Sequence, residues 1–365
     1  MNICIVAGAR PNFVKVAPII RAVDKAQAQG AELQVELVYA GSESDPTLEP
    51  TLFEDLQMRH PDVYLGVDCE NLNELTGNVM SAFDRYLCGH PAHVVIVVDD
   101  LASTMAAAIV TKKHGLALAH LVAGTRSFDI NMPKEINRLV IDGLSDFLFT
   151  AGMGGNSAVA REGAEQSKVY MVGNILMDTL RFNYSRLQRP DIMDSLSLEP
   201  QQYIVFTLNR KALLADEKKL REMLEELVTV SHRLPVVAPL RSSASEVVRR
   251  LLPSATGQFC ITEPLSYLRF GYLTAHARGV VTDSGNVAEE ATFNSVPCIT
   301  LNSYTEHQET VKVGSNVLVG EDAERLRSAL ADMAGNRWKH AAIPDRWDGR
   351  SAERIVQILR EQVKI

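Results

Sequence analysis

Thr282-Asp283-Ser284-Gly285-Asn286, followed one turn later by Glu289-Glu290, is the stretch of this chain best suited to hold a nucleotide. An apolar run at 279–282 ends in an abrupt Asp283-Ser284-Gly285 turn, and the pattern opens a helix at about Asn286. Such a junction aims unpaired backbone N–H groups and the positive end of a helix at one point, where a phosphate is the natural occupant. A carboxylate one turn in, Glu289 or Glu290, accepts two hydrogen bonds at once and suits the paired hydroxyls of a ribose. The same residues also fit an ordinary capped strand–helix junction with two solvated glutamates. A second junction, Gly8-Ala9-Arg10-Pro11-Asn12 after a short apolar run, sets Arg10 at a turn leading into a helix, again a place for a phosphate.

The elements that must position these residues alternate along the chain. Strands are expected at 3–7, 34–40, 94–98, 116–121, 147–150 and 169–172, with helices after residue 12 and at 72–86, 103–113, 136–143 and 156–162. A helix at 175–187 leads to a break at 188–200, and the alternation restarts. Strands follow at 203–207, 235–239, 258–261, 279–282, 297–301 and 316–319, with helices at 216–232, 243–252, 265–274, 286–293 and 323–333. Continuous apolar strands alternating with helices imply parallel sheets covered on both faces. The fold class is therefore α/β, with two doubly wound Rossmann-like domains, 1–187 and 188–350, and a last helix at 351–365 that packs back on the first. In such sheets ligands sit beyond the carboxyl ends of the strands. That places 8–12, 99–103, 124–138, 207–211 and 283–290 around one interdomain cleft. The G-x-G-x-x-G fingerprint is absent, which disfavours a nicotinamide-type enzyme.

A chain of 365 residues is long enough for two domains with separate cores. The formal charge of −8, without a basic run or basic-aromatic stripe, gives no nucleic-acid surface. The five cysteines have neither paired nor metal-like spacing, and Cys4 and Cys298 fall in apolar runs as core thiols, which fits a reducing compartment. No His/Cys/Asp/Glu cluster calls for a metal, and no cofactor is implied. The first residues begin a strand with no secretory leader, and no apolar run reaches the ~18 residues that span a membrane. The expected setting is the cytoplasm, without membrane insertion.

Taken together, the loops resemble the non-hydrolysing UDP-N-acetylglucosamine 2-epimerase family, whose fold is similar to that of the GT-B glycosyltransferases. The family's opening G-T-R-P stands here as Gly8-Ala9-Arg10-Pro11, with Lys15 and Pro18 in place. H-V-E-A-G-x-R is similar to His120-Leu121-Val122-Ala123-Gly124-Thr125-Arg126, and P-E-E-x-N-R to Pro133-Lys134-Glu135-Ile136-Asn137-Arg138. V-G-N-x-x-x-D matches Val172-Gly173-Asn174 with Asp178, and T-D-S-G-G-x-x-E-E-A matches Thr282-Asp283-Ser284-Gly285-Asn286 with Glu289-Glu290-Ala291. T-E-R-P-E-T is similar to Thr305-Glu306-His307-Gln308-Glu309-Thr310, and G-T-N-x-L-V-G to Gly314-Ser315-Asn316-Val317-Leu318-Val319-Gly320.

The resemblance implies a UDP-sugar substrate and inversion at C2 by elimination of UDP and re-addition, with no cofactor, in a homodimer. It implies Asp100 as the acid–base carboxylate, with Glu135 as an acid or ligand and Lys134 as a cation beside it. Asp99 stands next to Asp100, and either could instead cap the strand end. For the UDP it implies Arg10, Lys15, Arg138, Asn209, Arg210, Arg241, Ser284, Gly285, Asn286, Glu289 and Glu290, with Phe270 stacking on uracil. Several positions depart from the family pattern. Val122 stands where the family has Glu, Lys134 where it has the first Glu of P-E-E, and Asn209 where G-H-R has His. Pro239-Leu240-Arg241-Ser242 stands for H-x-N-P, and Asn286 for the second Gly of D-S-G-G. These departures leave open a second class: a UDP-sugar hydrolase, a glycosyl-transferring enzyme or a nucleotide-sugar-binding regulator.

Overall fold

The computed structural model describes residues 1–252 and 257–364. They form two compact units, one from Met1–Phe182 with the segment from Asp345 onward, the other from Asn183–Pro344. The first unit holds strands β1 (Asn2–Ala7), β2 (Gln34–Tyr39), β3 (Val63–Tyr64), β4 (Val94–Val98), β5 (Ala117–Ala123), β6 (Phe147–Thr150) and β7 (Val169–Met171). They pair in the order β3-β2-β1-β4-β5-β6-β7, every neighbour parallel. The second holds β8 (Ile204–Phe206), β9 (Val236–Pro239), β10 (Phe259–Thr262), β11 (Gly279–Thr282), β12 (Cys298–Thr300) and β13 (Asn316–Leu318). Their order is β10-β9-β8-β11-β12-β13, again parallel throughout.

The strands form where β-branched residues run without interruption. All five residues of β4, Val-Val-Ile-Val-Val, are buried, as expected of a central parallel strand with helices on both faces. In each sheet the winding reverses once, between β1 and β4 and between β8 and β11. Loops leaving those paired strands part in opposite directions and open a crevice at their carboxyl ends. The loops after β1 and β4 carry Arg10 and Asp99-Asp100; those after β8 and β11 carry Asn209-Arg210 and Asp283-Ser284-Gly285.

Three local differences from the sequence expectation follow from helix-end chemistry and element length. The turn expected at 8–12 is shorter, because helix Arg10–Ala28 already begins at Arg10. Pro11 fits its first turn, where a missing N–H breaks no hydrogen bond. The helix expected from 136 begins at Pro133 for the same reason and takes Lys134 and Glu135 into its first turn. Strand β3 and helices Pro50–Leu56 and Lys211–Ala215 lie outside the expected elements, being too short to show a periodicity.

The chain leaves the first unit after Phe182 and returns at Asp345, a few residues before each of the expected boundaries. The returning segment is held by specific contacts. Trp347 is buried and donates its indole N–H to the Ala151 carbonyl at 3.1 Å. Gly173 sits at φ +101°, and a Cβ there would fall 2.0 Å from the Arg346 carbonyl oxygen, so no larger residue fits. Asp178 accepts the backbone N–H groups of Ser351 at 3.0 Å and Ala352 at 2.8 Å, capping helix Ser351–Gln362. That helix buries Ala352, Ile355, Val356 and Leu359. Among the described residues, no helix is long and apolar enough to cross a membrane.

Candidate functional site

In the first unit the crevice between β1 and β4 gathers Asn12, Lys15, Asp99 and Asp100. The two aspartates have different surroundings. Asp99 adopts φ +59° and is fully engaged: its carboxylate accepts from Asn12 Nδ2 at 2.7 Å and from the buried Lys15 Nζ at 2.6 Å. Asn12 also uses its Oδ1 to accept the Gly8 and Ala9 N–H groups, tying the two loops of the crevice together. Asp100 meets Arg138, whose Nη2 lies 2.6 Å and Nε 2.8 Å from Oδ2, and Lys134, whose Nζ lies 3.5 Å from Oδ1. Burial opposes its ionisation, but the Lys134 ammonium and the Arg138 guanidinium hold the carboxyl below the usual carboxylate range. Asp100 is thus an ionised carboxylate with one oxygen only loosely paired, so that oxygen is open to accept a proton, although the two cations make it a weaker base than an ordinary aspartate. Arg10, in the first turn of its helix, keeps a buried Nε with no hydrogen-bond partner among the described residues.

Glu135 does not fit the role of acid. Its oxygens accept from Ser127 N–H at 2.9 Å, Ser127 Oγ at 2.9 Å, Phe128 N–H at 3.0 Å and Arg138 Nη1 at 3.0 Å. Burial works against its charge, but these donors hold it below the ordinary glutamate range, so it carries no proton to give. Its contacts spend it on shaping the 127–128 loop. Arg138, 1% exposed, joins Glu135 to Asp100 and is a positioning group rather than a free cation. Arg126 is paired with Asp142 at 2.7 Å and with Glu162 at 2.5 Å, as a structural ion pair. Val122, standing where the resemblance has a glutamate, lies at φ +72°, at a register shift between β5 and β6. Such a backbone is costly for a β-branched side chain, and strain of this kind collects at functional sites.

In the second unit the crevice between β8 and β11 is built around Asp283. Its Oδ2 accepts the N–H groups of Asn209 at 2.7 Å and Arg210 at 2.5 Å, and its carbonyl accepts Asn302 Nδ2 at 3.1 Å. The hydroxyls of Thr207 and Thr282 meet at 2.7 Å beneath it. Ser284 is the N-cap of helix Gly285–Phe293, so the free N–H groups of this helix point into the crevice mouth. A cavity of about 340 Å³ opens here, lined by Asn209, Arg210, Asp283, Asn302, Thr305 and Glu306 among others. That lies within the ~300–1,000 Å³ range of small-molecule sites. Arg210 is not a free cation: it binds the Leu301 carbonyl at 3.0 Å and the Glu321 carboxylate. Arg241 is exposed at the start of helix Ser242–Leu251, and Phe270 packs half-buried against the core of this unit; neither lines the cavity.

The glutamate pair is not solvated. Glu289 and Glu290 are 3% and 8% exposed, and His307 Nε2 lies 3.4 Å from Glu289 Oε1. Burial, reinforced by the Glu289 charge, pushes Glu290 up to about 8. A carboxyl raised above its unfolded value of 4.5 stabilises the fold fully at low pH, and that contribution is lost as pH rises through 8. Between pH 5 and 8 the loss is on the order of 3 kcal/mol. Glu290→Gln is expected to flatten this slope in urea denaturation at pH 5, 6.5 and 8. Parallel wild-type and variant curves would show that Glu290 is charged throughout.

Two site residues escaped the sequence reading. Asp142 on helix Pro133–Leu144 is buried and binds His120, Gly124 and Arg126. Its signal is periodicity: it stands four residues after Arg138 and seven after Glu135, on the same helix face. His307 was visible only as part of a motif, and its contact with Glu289 depends on a loop whose path no local pattern fixes. Among the described residues, no group of three or more His, Cys, Asp or Glu could hold a metal.

A family model described as UDP-N-acetylglucosamine 2-epimerase matches residues 25–360. The chain is 31% identical over 375 residues to a UDP-N-acetylglucosamine 2-epimerase of Methanocaldococcus jannaschii, covering 98% of this chain and 99% of that one. It is 32% identical over 339 residues to a UDP-2,3-diacetamido-2,3-dideoxy-D-glucuronate 2-epimerase of Pseudomonas aeruginosa, covering 92% and 93% of the two chains. Its structure is similar to that of the M. jannaschii UDP-GlcNAc 2-epimerase in complex with UDP-GlcNAc and UDP. The TM-score is 0.83 at 30% identity, with 99% and 100% of the two chains covered.

Proposed function

Because this chain belongs to the UDP-N-acetylglucosamine 2-epimerase family, we propose that it is an isomerase inverting C2 of a UDP-linked 2-acetamido sugar. The relatives' names share UDP and an acetamido group at C2 while differing elsewhere on the sugar, and the proposal is framed at that level. The observation that carries it is the ionised, half-paired Asp100 at the switch point of the first sheet.

The C2 hydrogen beside an acetamido group is a poor acid, so it must be taken by a positioned base as the C1–oxygen bond breaks and UDP leaves with the electron pair. Asp100 is the base in this reading. The glucal that results regains UDP at C1 and a proton on the opposite face of C2, so that atoms and charge balance without a cofactor. Lys134, 57% exposed beside Asp100, supplies positive charge where proton transfer and leaving-group charge develop. Lys15 and Arg138 act through the aspartates they hold, and Glu135 through its loop. The N–H groups of Gly285 and Asn286 take the diphosphate beside Asn209 and Arg210, which line the cavity, and one of Glu289 and Glu290 takes the ribose. The test is titration calorimetry with UDP and UDP-N-acetylglucosamine, followed by proton NMR of the mixture in D₂O. Binding with deuterium entering C2 is expected. Binding without exchange would overturn the isomerase reading, and no binding would overturn the UDP-sugar site.

A further inference from the structure

Asp142 takes no part in the chemistry above, yet it is buried beneath the loop that carries Asp100. We propose that Asp142, acting through the His120 ring, is a positioning residue that fixes the Asp99-Asp100 turn for proton transfer. This rests on the C2 chemistry assigned to Asp100.

The contacts form one chain. Asp142 Oδ1 lies 2.5 Å from His120 Nδ1, and His120 Nε2 lies 2.9 Å from the Asp99 carbonyl oxygen. Each ring nitrogen faces an oxygen acceptor, a carboxylate on one side and a carbonyl on the other, so the ring is clamped between helix Pro133–Leu144 and the Asp99-Asp100 turn. The other carboxylate oxygen of Asp142, Oδ2, accepts from the Arg126 guanidinium at 2.7 Å and the Gly124 N–H at 3.0 Å. The network is almost wholly buried, with His120 at 1% and Asp142 at 7% exposure.

What it holds is strained. Asp99 at φ +59° is left-handed backbone that a non-glycine residue keeps only when its surroundings impose it. Here its N–H donates to the Leu121 carbonyl at 3.2 Å, its carbonyl accepts from His120, and its carboxylate from Asn12 and Lys15. Released from His120, the peptide that joins Asp99 to Asp100 loses the donor that fixes its carbonyl, and Asp100 shifts with the relaxing turn. Gly124, the second turn bound by Asp142, is also left-handed at φ +77°. One carboxylate therefore keys the turns after β4 and β5 to helix Pro133–Leu144, whose Arg138 holds the Asp100 side chain. A misplacement of about 1 Å at the reacting group is worth ~100-fold in rate.

The experiment compares wild type with His120→Phe, His120→Gln and Asp142→Asn in the full chain. Epimerisation of UDP-N-acetylglucosamine gives kcat and KM, and backbone hydrogen exchange is followed over residues 98–104. In His120→Phe and Asp142→Asn kcat is expected to fall at least 30-fold, KM to change less than threefold and exchange over 99–104 to rise at least tenfold. His120→Gln, which keeps a donor toward Asp99, is expected to regain part of kcat. An unchanged kcat, or unchanged exchange over 99–104, in folded variants overturns the proposal. If Asp142→Asn does not fold, the two His120 variants decide by the same criteria. If wild type binds the substrate but never turns it over, the isomerase reading falls, and the exchange data alone then uphold or overturn the positioning role.

Discussion

Asp100→Asn is expected to remove C2 deuterium exchange while leaving UDP affinity within twofold of wild type. Asparagine keeps the size of the side chain and can still accept from Arg138, so the loop geometry survives. What disappears is a basic oxygen beside Lys134. A positioned general base contributes about 10²–10⁴-fold, and exchange at C2 should fall by that much. The readout is the loss of the C2 proton signal of UDP-N-acetylglucosamine in D₂O, with calorimetric UDP binding as the control for the second unit. A variant retaining more than a tenth of the wild-type exchange rate would remove Asp100 from the reaction and turn attention to Lys134. Asp99 is the weaker candidate, because Asn12 and Lys15 already occupy both its oxygens.

Arg138→Leu should be the most damaging single change to the first unit. The guanidinium is 1% exposed and is the shared counter-charge of Asp100 and Glu135. Removing it strands two carboxylates in a site chosen for their ionised forms, and such a loss costs about 3–5 kcal/mol. Activity should fall with it, since Asp100 loses the guanidinium that holds its carboxylate in place. The measurement is denaturant unfolding of Arg138→Leu against Arg138→Leu/Glu135→Gln. If stranded charge causes the damage, the second substitution recovers part of the stability, because the neutral amide needs no counter-ion. Equal stabilities would mean that the loss comes from packing instead.

The architecture was legible because it rests on patterns of short range. Continuous β-branched runs such as 94–98 read as buried parallel strands, and the Asp283-Ser284-Gly285 break reads as a loop before a helix. The family motifs placed Asp100 in a loop after a strand and Glu289 and Glu290 one turn into a helix, where the structure also has them. What a side chain does inside its loop was not legible. Glu135 reads as an available carboxylate until four donors are found around it, and those come from residues 127, 128 and 138 through a loop path no periodicity encodes. The glutamate pair reads equally as a ribose ligand and as solvated charge, because neighbouring charges on a helix are usually exposed; here the helix Gly285–Phe293 buries both. His120 stands at the end of an apolar run, and its link between Asp142 and the Asp99 carbonyl joins residues 22 and 21 positions away, which no local pattern encodes.

The cap that Asp178 places on helix Ser351–Gln362 also sets an order of events during synthesis. Residues 1–182 leave the ribosome with the seat for Trp347 and the partner N–H groups of Asp178 unfilled, and with the apolar side chains beneath that helix in water. The intervening unit is then made whole, about 160 residues at ~5–20 residues per second, or roughly 10–30 s. Only after residues 345–364 emerge does the first unit close. The earlier-made unit is thus the later one to finish, with the apolar surface beneath its last helix exposed in the meantime. A nascent chain stalled before residue 345 should be digested by protease in its first half while its second half survives.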